Sequence, residues 1–413
     1  MRTENTPQLS SSPAAQQWLE NFDTSDRDTA VLLLNTLMLV GASEFALRIN
    51  ELLNAIPRWS DKYNNWLAIY AEREIAKDGH VVLPFFPDTG VGRATGPGIP
   101  PVEVDPKKQD VGSEGVVATL VAKYCKPAKS RALSHPGPDA LRDRRAQTIV
   151  IVSDFVGSGR RVSEMLDAFA KVASIQSWIS YHLLNFHVVC YSGTEHGIDV
   201  VKRHSTGPAV SVHIACPVVE EVFEGSTLGA VKKLCKAYPQ KKNKFPFGFR
   251  DTGSLIAFSH GIPNNAPALL HSRTGGWTPL FENRSTFEVR LDAYASAKDQ
   301  LARRSDHVLK LRSARRVLHS DGDNERLGVF SIMDVIRQGV RTPVRISAQT
   351  GSSMGEVEAA LKLLRQAHWI SPNNGLTQAG RRELRSIRRV SSMNDEIAYP
   401  LSTPYFPTQL RGA

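Results

Sequence analysis

Hydrophobic positions keep a helical period at both ends of this chain and shorten to compact apolar runs in the middle. Residues 18–56, "WLENFDTSDRDTAVLLLNTLMLVGASEFALRINELLNAI", space their apolar positions as two or three helices, with the polar stretch Asp23 to Asp28 as the break. The spacing predicts another helix over 66–76, and "HVVLPFF" (80–86) reads as a short strand. Gly and Pro crowd residues 87–106, which makes that stretch a loop. From 112 the pattern alternates. A helix is expected over "GSEGVVATLVAKYCK", strands over 148–154, 185–191, 209–215 and 254–260, and helices over 161–173 and 195–203. Apolar strands alternating with helices predict an α/β fold with a parallel sheet covered on both faces.

Residues 285–325 are polar, Arg-rich and helical in pattern, and read as a connector. Beyond Gly328 the helices shorten. The first (329–338) turns Phe330, Met333, Val335 and Ile336 inward, and a second lies around Val344 to Ala348 before a turn at Gly351. Ser353 with Glu356 forms a capping box that opens a third helix, whose buried stripe is Met354, Val357, Leu361 and Leu364. "SPNNG" between Trp369-Ile370 and Leu376-Thr377 makes a two-stranded wing, and the basic helix "RRELRSIRR" follows. That order is a winged helix-turn-helix. The chain thus divides into a disordered lead-in (1–15), an α/β body (16–285), a helical connector (286–326), a winged helix (327–390) and a tail (391–413).

Composition changes this picture mainly through charge. Residues 301–390 hold 17 Lys and Arg against 8 Asp and Glu, so nine of the ten net positive charges fall there. The asymmetry suggests a winged helix facing nucleic acid on a near-neutral body; a solvated basic face is the other reading. Winged helices place the third helix in the major groove, with basic residues on the DNA backbone. Lys362 and Arg365 share a face there, and Arg341, Arg345 and Arg381 are candidates to hold phosphates. The third helix has little base-reading chemistry near its start, so recognition of one particular sequence is not expected. Docking on a protein stays open. Membrane insertion is not expected, because the apolar run 30–40 is too short to span a bilayer and the first residues lack an apolar signal core. Four scattered cysteines without a CxxC pair point to a reduced, cytoplasmic protein without structural zinc.

The stretch with most chemistry is "IVIVSDFVGSGRRVSEMLDAF" (149–169). An apolar strand reaches Asp154, a Gly-Ser-Gly turn follows, and an amphipathic helix begins. Such a turn offers backbone N–H groups and a helix N-terminus to an anion. Asp154 does not suit phosphate, but it suits sugar hydroxyls or magnesium, so acid and cradle together describe a ligand with both ribose and phosphate. No Lys follows Gly159 as in a P-loop, and Val162 stands where the dinucleotide fingerprint needs its third glycine. A plain strand-to-helix turn is the alternative.

The same stretch resembles the type I phosphoribosyltransferases, whose signature runs from four apolar strand residues through two acids and two variable residues to a Thr/Ser-Gly loop. The resemblance implies that Gly157, Ser158, Gly159, Arg160, Arg161 and Ser163 cradle the 5′-phosphate of phosphoribosyl pyrophosphate (PRPP). Asp154 then matches the second acid, while Ser153 occupies the place of the first and brings a hydroxyl without charge. Gly112, Ser113 and Gly115 resemble the pyrophosphate loop, with Glu114 where a basic residue is often found. Magnesium accompanies PRPP or pyrophosphate in such sites. "GSLIAFSHGIPNNAPALLH" and "GWTPLF" resemble the phosphoribosyltransferase-like proteins of bacterial conflict systems, matching at His260, Gly261, Pro263, Asn264, Asn265, Trp277, Pro279, Leu280 and Phe281; "WLENF" fits the same group.

This resemblance spans roughly 15–285 and implies an anti-phage, retron-type effector, with a reverse transcriptase and its small DNA as partners and a homo-oligomer as a compatible state. Asn264 and Asn265 are expected toward a base or acceptor, or as a structural turn. His260 is a candidate acid or base, or simply a hydrogen-bonded strand end. "KKNKFPFGFR" (241–250) closes over phosphates or is an ordinary exposed loop. Two functions follow: pentosyl transfer or nucleotide cleavage at Asp154, or a catalytically inactive, ligand-sensing DNA-binding regulator. A scaffold that binds only protein is a third. No Ser-His or Cys-His nucleophile is apparent.

Overall fold

The computed structural model describes residues 8–57, 66–87, 93–100, 113–127, 131–239, 244–273, 275–294 and 323–393. Its strands are β1 (Met38–Val40), β2 (Leu67–Ala71), β3 (Ala132–Ser134), β4 (Thr148–Val156), β5 (Asn185–Gly193), β6 (Ala209–Ala215) and β7 (Ile256–Phe258), beside a tiny hairpin of Lys77–Asp78 with Val81–Val82. The longer helices are α1 (Pro13–Leu19), α2 (Arg27–Thr36), α3 (Ala42–Asn54), α4 (Ser113–Cys125), α5 (Arg160–Ala170), α6 (Ala173–Ser180), α7 (Glu195–Lys202) and α8 (Gly225–Ala237). The C-terminal part adds α9 (Asp323–Arg337), α10 (Pro343–Thr350), α11 (Met354–Gln366) and α12 (Gln378–Met393).

Five parallel strands form the central sheet in the order β3-β2-β4-β5-β6. In β4 only Asp154 escapes full burial, as a strand covered on both faces requires. On one face Val150 and Val152 pack with Phe45, Ile49, Val117 and Val121 of α3 and α4. On the other, Ile149 and Ile151 meet Met165, Leu166 and Phe169 of α5 and Ile175 of α6. Phe169 stacks on Phe85 with ring centroids 4.0 Å apart.

Several elements depart from the sequence reading. Residues 67–71 are a central strand, not a helix. All five are buried between the two helical layers, and a short fully buried run carries no period that separates strand from helix. Residues 38–40 leave the helical pattern to form β1, which pairs in parallel with β7. The strand expected over 254–260 is therefore outside the central sheet. The edge strand β3 carried no recognisable signal, and "HVVLPFF" is strand only at Val81–Val82. The helix expected over 161–173 is α5, which ends at Ala170, and a further helix, α6, follows it.

A second core joins α1 and α2 to α8 and to residues 255–291. Here "WLENF" meets "GWTPLF". Trp18 Nε1 and Trp277 Nε1 both donate to the Leu269 carbonyl, at 2.9 and 3.0 Å, and Phe22 meets Trp277 edge-on. These motifs are structural. They hold the segment Ser259–Asn265 in place above the sheet.

The winged helix has its own core of Ile332, Met333, Ile336, Ile346, Val357, Leu361 and Leu364. Met354 and Phe330, both expected inside, are only partly buried. The capping box of Ser353 and Glu356 is formed, and Gly351 takes the left-handed conformation (φ 74°) that ends α10. The wing reduces to a single antiparallel bridge, Ile370–Leu376. Both α10 and α11 pack on β6, the edge strand of the central sheet. Most of the expected connector (286–326) and tail (391–413) lies outside the described residues; residues 291–293 form a short 3-10 turn, and α9 already begins at Asp323.

Candidate functional site

A cleft of about 500 Å³ opens at the C-terminal ends of β2 and β4. Its floor is the turn Gly157–Gly159 and the start of α5. Gly159, with φ 72°, is the N-cap and supplies no side-chain cap. The Ser163 N–H, bonded to the Gly159 carbonyl, is the first to enter the helix ladder. The N–H groups before it are left for a ligand or solvent. The first turn contains no acid and instead carries Arg160 and Arg161. Arg160 pairs with Glu164 at 3.2 Å and Arg161 with Glu72 at 3.4 Å, and each guanidinium has further N–H donors to offer an anion at the positive end of the helix.

Opposite this anion cradle stand carboxylates. Asp154 accepts from the Phe155 N–H at 2.8 Å through one oxygen and lies 3.0 Å from His260 Nε2 through the other. The His260 ring stacks on Phe258 and meets Phe45 edge-on, which fixes its plane. Glu72, just past β2, bonds the Ser153 hydroxyl and lies 3.4 Å from Arg161 Nε. Burial, reinforced by Asp154 and Glu114, pushes the Glu72 carboxyl up to about 7, against the pull of Arg161 and Ser153. Burial likewise raises Glu114, with Arg73, 3.8 Å away, opposing it.

Of the residues singled out in the sequence, Asp154, Gly157, Ser158, Gly159, Arg160, Arg161, Ser113, His260, Asn264 and Asn265 line one cleft. Ser153 does not. It is 1% exposed and lies beneath Glu72, because its side chain leaves β4 within the sheet's packed interior. Ser163 and Gly115 also fall outside the lining, and Gly112 lies outside the described residues. Asn265 is buried, with its amide donating to the Phe249 carbonyl and the Thr252 hydroxyl, so it braces the cleft wall. Its Oδ1 lies only 2.4 Å from where a Cβ on Gly157 would stand, so the turn can approach only as glycine. Asn264 is exposed. Of "KKNKFPFGFR", Phe249 reaches the cleft, while 241–243 lie outside the described residues. Sequence reasoning missed Glu72 outright. Its signal, an acid at the C-terminal end of a strand beside β4, is invisible while 66–76 is read as a helix.

Residues 113–283 match the family model PRTase-CE, and residues 330–412 match the model described as wHTH-PRTase associated. The chain carries a PRTase-like domain followed by a winged-helix associated domain. No curated protein and no solved structure matches it. The PRTase-CE match begins where α4 begins, although the PRTase-like domain also draws β1, β2 and α1–α3 into its cores.

In the winged-helix domain the basic residues divide. Arg345 Nε pairs with Glu195 at 2.7 Å and approaches Glu221 at 3.8 Å, both in the PRTase-like domain. Thr342 donates to Glu195, Ser347 accepts from the Ala215 N–H on β6, and Gln349 donates to the Glu221 carbonyl. Arg345 thus belongs to an interface within the chain, contrary to its expected role on phosphates. Arg341 donates to the Ile336 and Val340 carbonyls at the end of α9, and Arg365 donates to Asn374 at 2.7 Å and so braces the wing. Lys362 and Arg381 are exposed.

Among the described residues no three His, Cys, Asp or Glu side chains are grouped to hold a metal. The cleft carboxylates Glu72, Asp154 and Glu114 are not gathered into such a group. No described helix is long and apolar enough to cross a membrane.

Proposed function

We propose that the cleft of the PRTase-like domain binds a ribose-phosphate ligand such as PRPP or a nucleotide. One observation carries this reading: an uncapped helix N-terminus flanked by Arg160 and Arg161 faces the carboxylates Asp154 and Glu72 across a single cleft. An anion and a set of hydroxyl donors in one molecule satisfy both halves, and a sugar phosphate is such a molecule. Phe249 and Phe287 also line the cleft and offer ring faces to a base. Magnesium bound to the ligand's pyrophosphate would face Asp154 and Glu72 and would neutralise charge on the leaving group.

If the ligand reacts, Asp154 sits where a ribose cation would develop, and His260, held by Asp154, is the residue placed to move a proton. In the fuller reading the winged helix docks on nucleic acid through Lys362 and Arg381, and the protein serves as an anti-phage, retron-type effector beside a reverse transcriptase and its small DNA.

The alternative, a ligand-sensing regulator without turnover, is favoured by a chain of contacts. The Gly157 carbonyl accepts from Thr194 at 2.6 Å, and the next residue, Glu195, holds Thr342 and Arg345 of the winged helix. A ligand on the turn is thus two residues from the domain interface, a route by which binding can shift the winged helix.

Isothermal titration of PRPP with magnesium, beside an Asp154→Ala variant, tests the main reading. Saturable binding that the variant loses is the expected outcome, while absence of heat from the wild type removes the ribose-phosphate assignment. Product release on addition of PRPP or nucleotide separates the enzyme from the regulator.

A further inference from the structure

The Glu72 N–H donates to the Val152 carbonyl at 2.8 Å, which continues the β2–β4 register and sets Glu72 beside Ser153. Its side chain is nine-tenths buried yet lines the cleft. One carboxylate oxygen accepts from Ser153 and the other faces Arg161. A carboxylate offers roughly four acceptor positions, so these contacts leave it under-supplied with donors. Its acidic neighbours Asp154 and Glu114 repel it and donate nothing. In the open cleft water can supply the remaining donors, and a ligand that displaces that water has to replace them. A phosphate brings none, and the cradle of amides and arginines already suits it. A sugar hydroxyl brings one.

The identity of the side chain points the same way. Burying a carboxylate is costly, and glutamine would fill nearly the same volume without that cost. We propose that Glu72 and Asp154 together accept adjacent hydroxyls of the ligand's sugar, with Ser153 holding Glu72 in line, so that Glu72 sets a preference for full ribose over a deoxy sugar. The proposal rests on the ribose-phosphate reading and deepens it. It assigns the second carboxylate of the site to the strand next to β4.

Titration of the full chain with ribose 5-phosphate, 2-deoxyribose 5-phosphate and inorganic phosphate tests this role. Wild type is expected to favour ribose 5-phosphate over the deoxy sugar. Glu72→Gln should weaken ribose 5-phosphate about tenfold relative to inorganic phosphate and erase the preference, while inorganic phosphate binds at least as tightly because Arg161 loses its carboxylate partner. Ser153→Ala should shift the preference the same way by a smaller factor. If Glu72→Gln fails to fold, Ser153→Ala decides alone. An unchanged preference in the folded variants overturns the role of Glu72 and leaves the cleft reading standing. Equal loss of phosphate and sugar phosphate overturns it too, since that marks damage to the whole site. A wild type that binds phosphate but no sugar phosphate overturns the ribose-phosphate reading itself.

Discussion

The cleft and the winged helix both carry clustered charge, but they place it differently. In the cleft the carboxylates Glu72 and Asp154 are held in deep or partial burial, each tied to a defined partner, with the more exposed Arg161 paired to Glu72. On the winged helix Lys362 and Arg381 stand in solvent, while Arg345 is turned onto the neighbouring domain. Net charge therefore marks the second region in the sequence yet says little about which cations are available. The first is nearly silent in composition, and its chemistry comes from enclosure. A buried ion is either satisfied or costly, whereas an exposed one is screened and individually weak.

The largest expected effect comes from removing the space on which the cradle depends. A Cβ on Gly197 would lie 2.2 Å from the Gly157 carbonyl oxygen, a backbone atom that cannot move without moving the turn. Gly197→Ala should cost about 2–4 kcal/mol in a denaturant melt and abolish anion binding. A variant of wild-type stability and affinity would show that the turn is not braced by α7.

A pH effect of similar size, but opposite sign, is expected at Glu72. Burial raises its folded carboxyl to about 7 from the ordinary 4.5, so the folded protein holds that proton more tightly than the unfolded chain. This contribution to stability is fully present below about pH 4.5 and disappears as pH rises through 7. Glu72→Gln should accordingly be the more stable protein at pH 8, by up to about 3 kcal/mol, with the gap closing toward pH 4. Thermal melts across that range check it, and a constant gap would mean that Glu72 is not buried as an acid.

On the winged helix the expected effects shrink. If the docked domain meets nucleic acid, Arg381→Ala should weaken binding to DNA of any sequence and lower the salt slope by about one unit, whereas Arg345→Ala should leave that slope unchanged. Equal effects in a salt titration would mean that the interface opens when DNA binds. Smallest of all, a double-mutant cycle on Arg345 and Glu195 should give a coupling of about 0.5–1 kcal/mol, because Arg345 remains half exposed. Faster hydrogen exchange in α10 of Arg345→Ala would show the same loosening.

Much of this protein was readable before its tertiary structure. The β4 strand, Asp154, the Gly-Ser-Gly turn and the helix after it stand close together in the chain. Their spacing alone describes an anion cradle next to an acid. The Ser353–Glu356 box and the Gly351 turn are equally local, and so the order of the winged-helix elements followed from them. Local hydrogen bonds and helix periodicity act over a few residues, and that is the range a sequence displays directly.

Tertiary structure alone decided three things. It made 67–71 a strand, because burial on both faces erases periodicity. It brought Glu72 beside Ser153 and His260 beside Asp154, contacts between residues 81 and 106 positions apart. It also paired Arg345 with Glu195, 150 positions away, giving a protein partner to a cation that net charge had counted toward nucleic acid. Each depends on which distant segments the two cores bring together, and packing of that kind has no local signature.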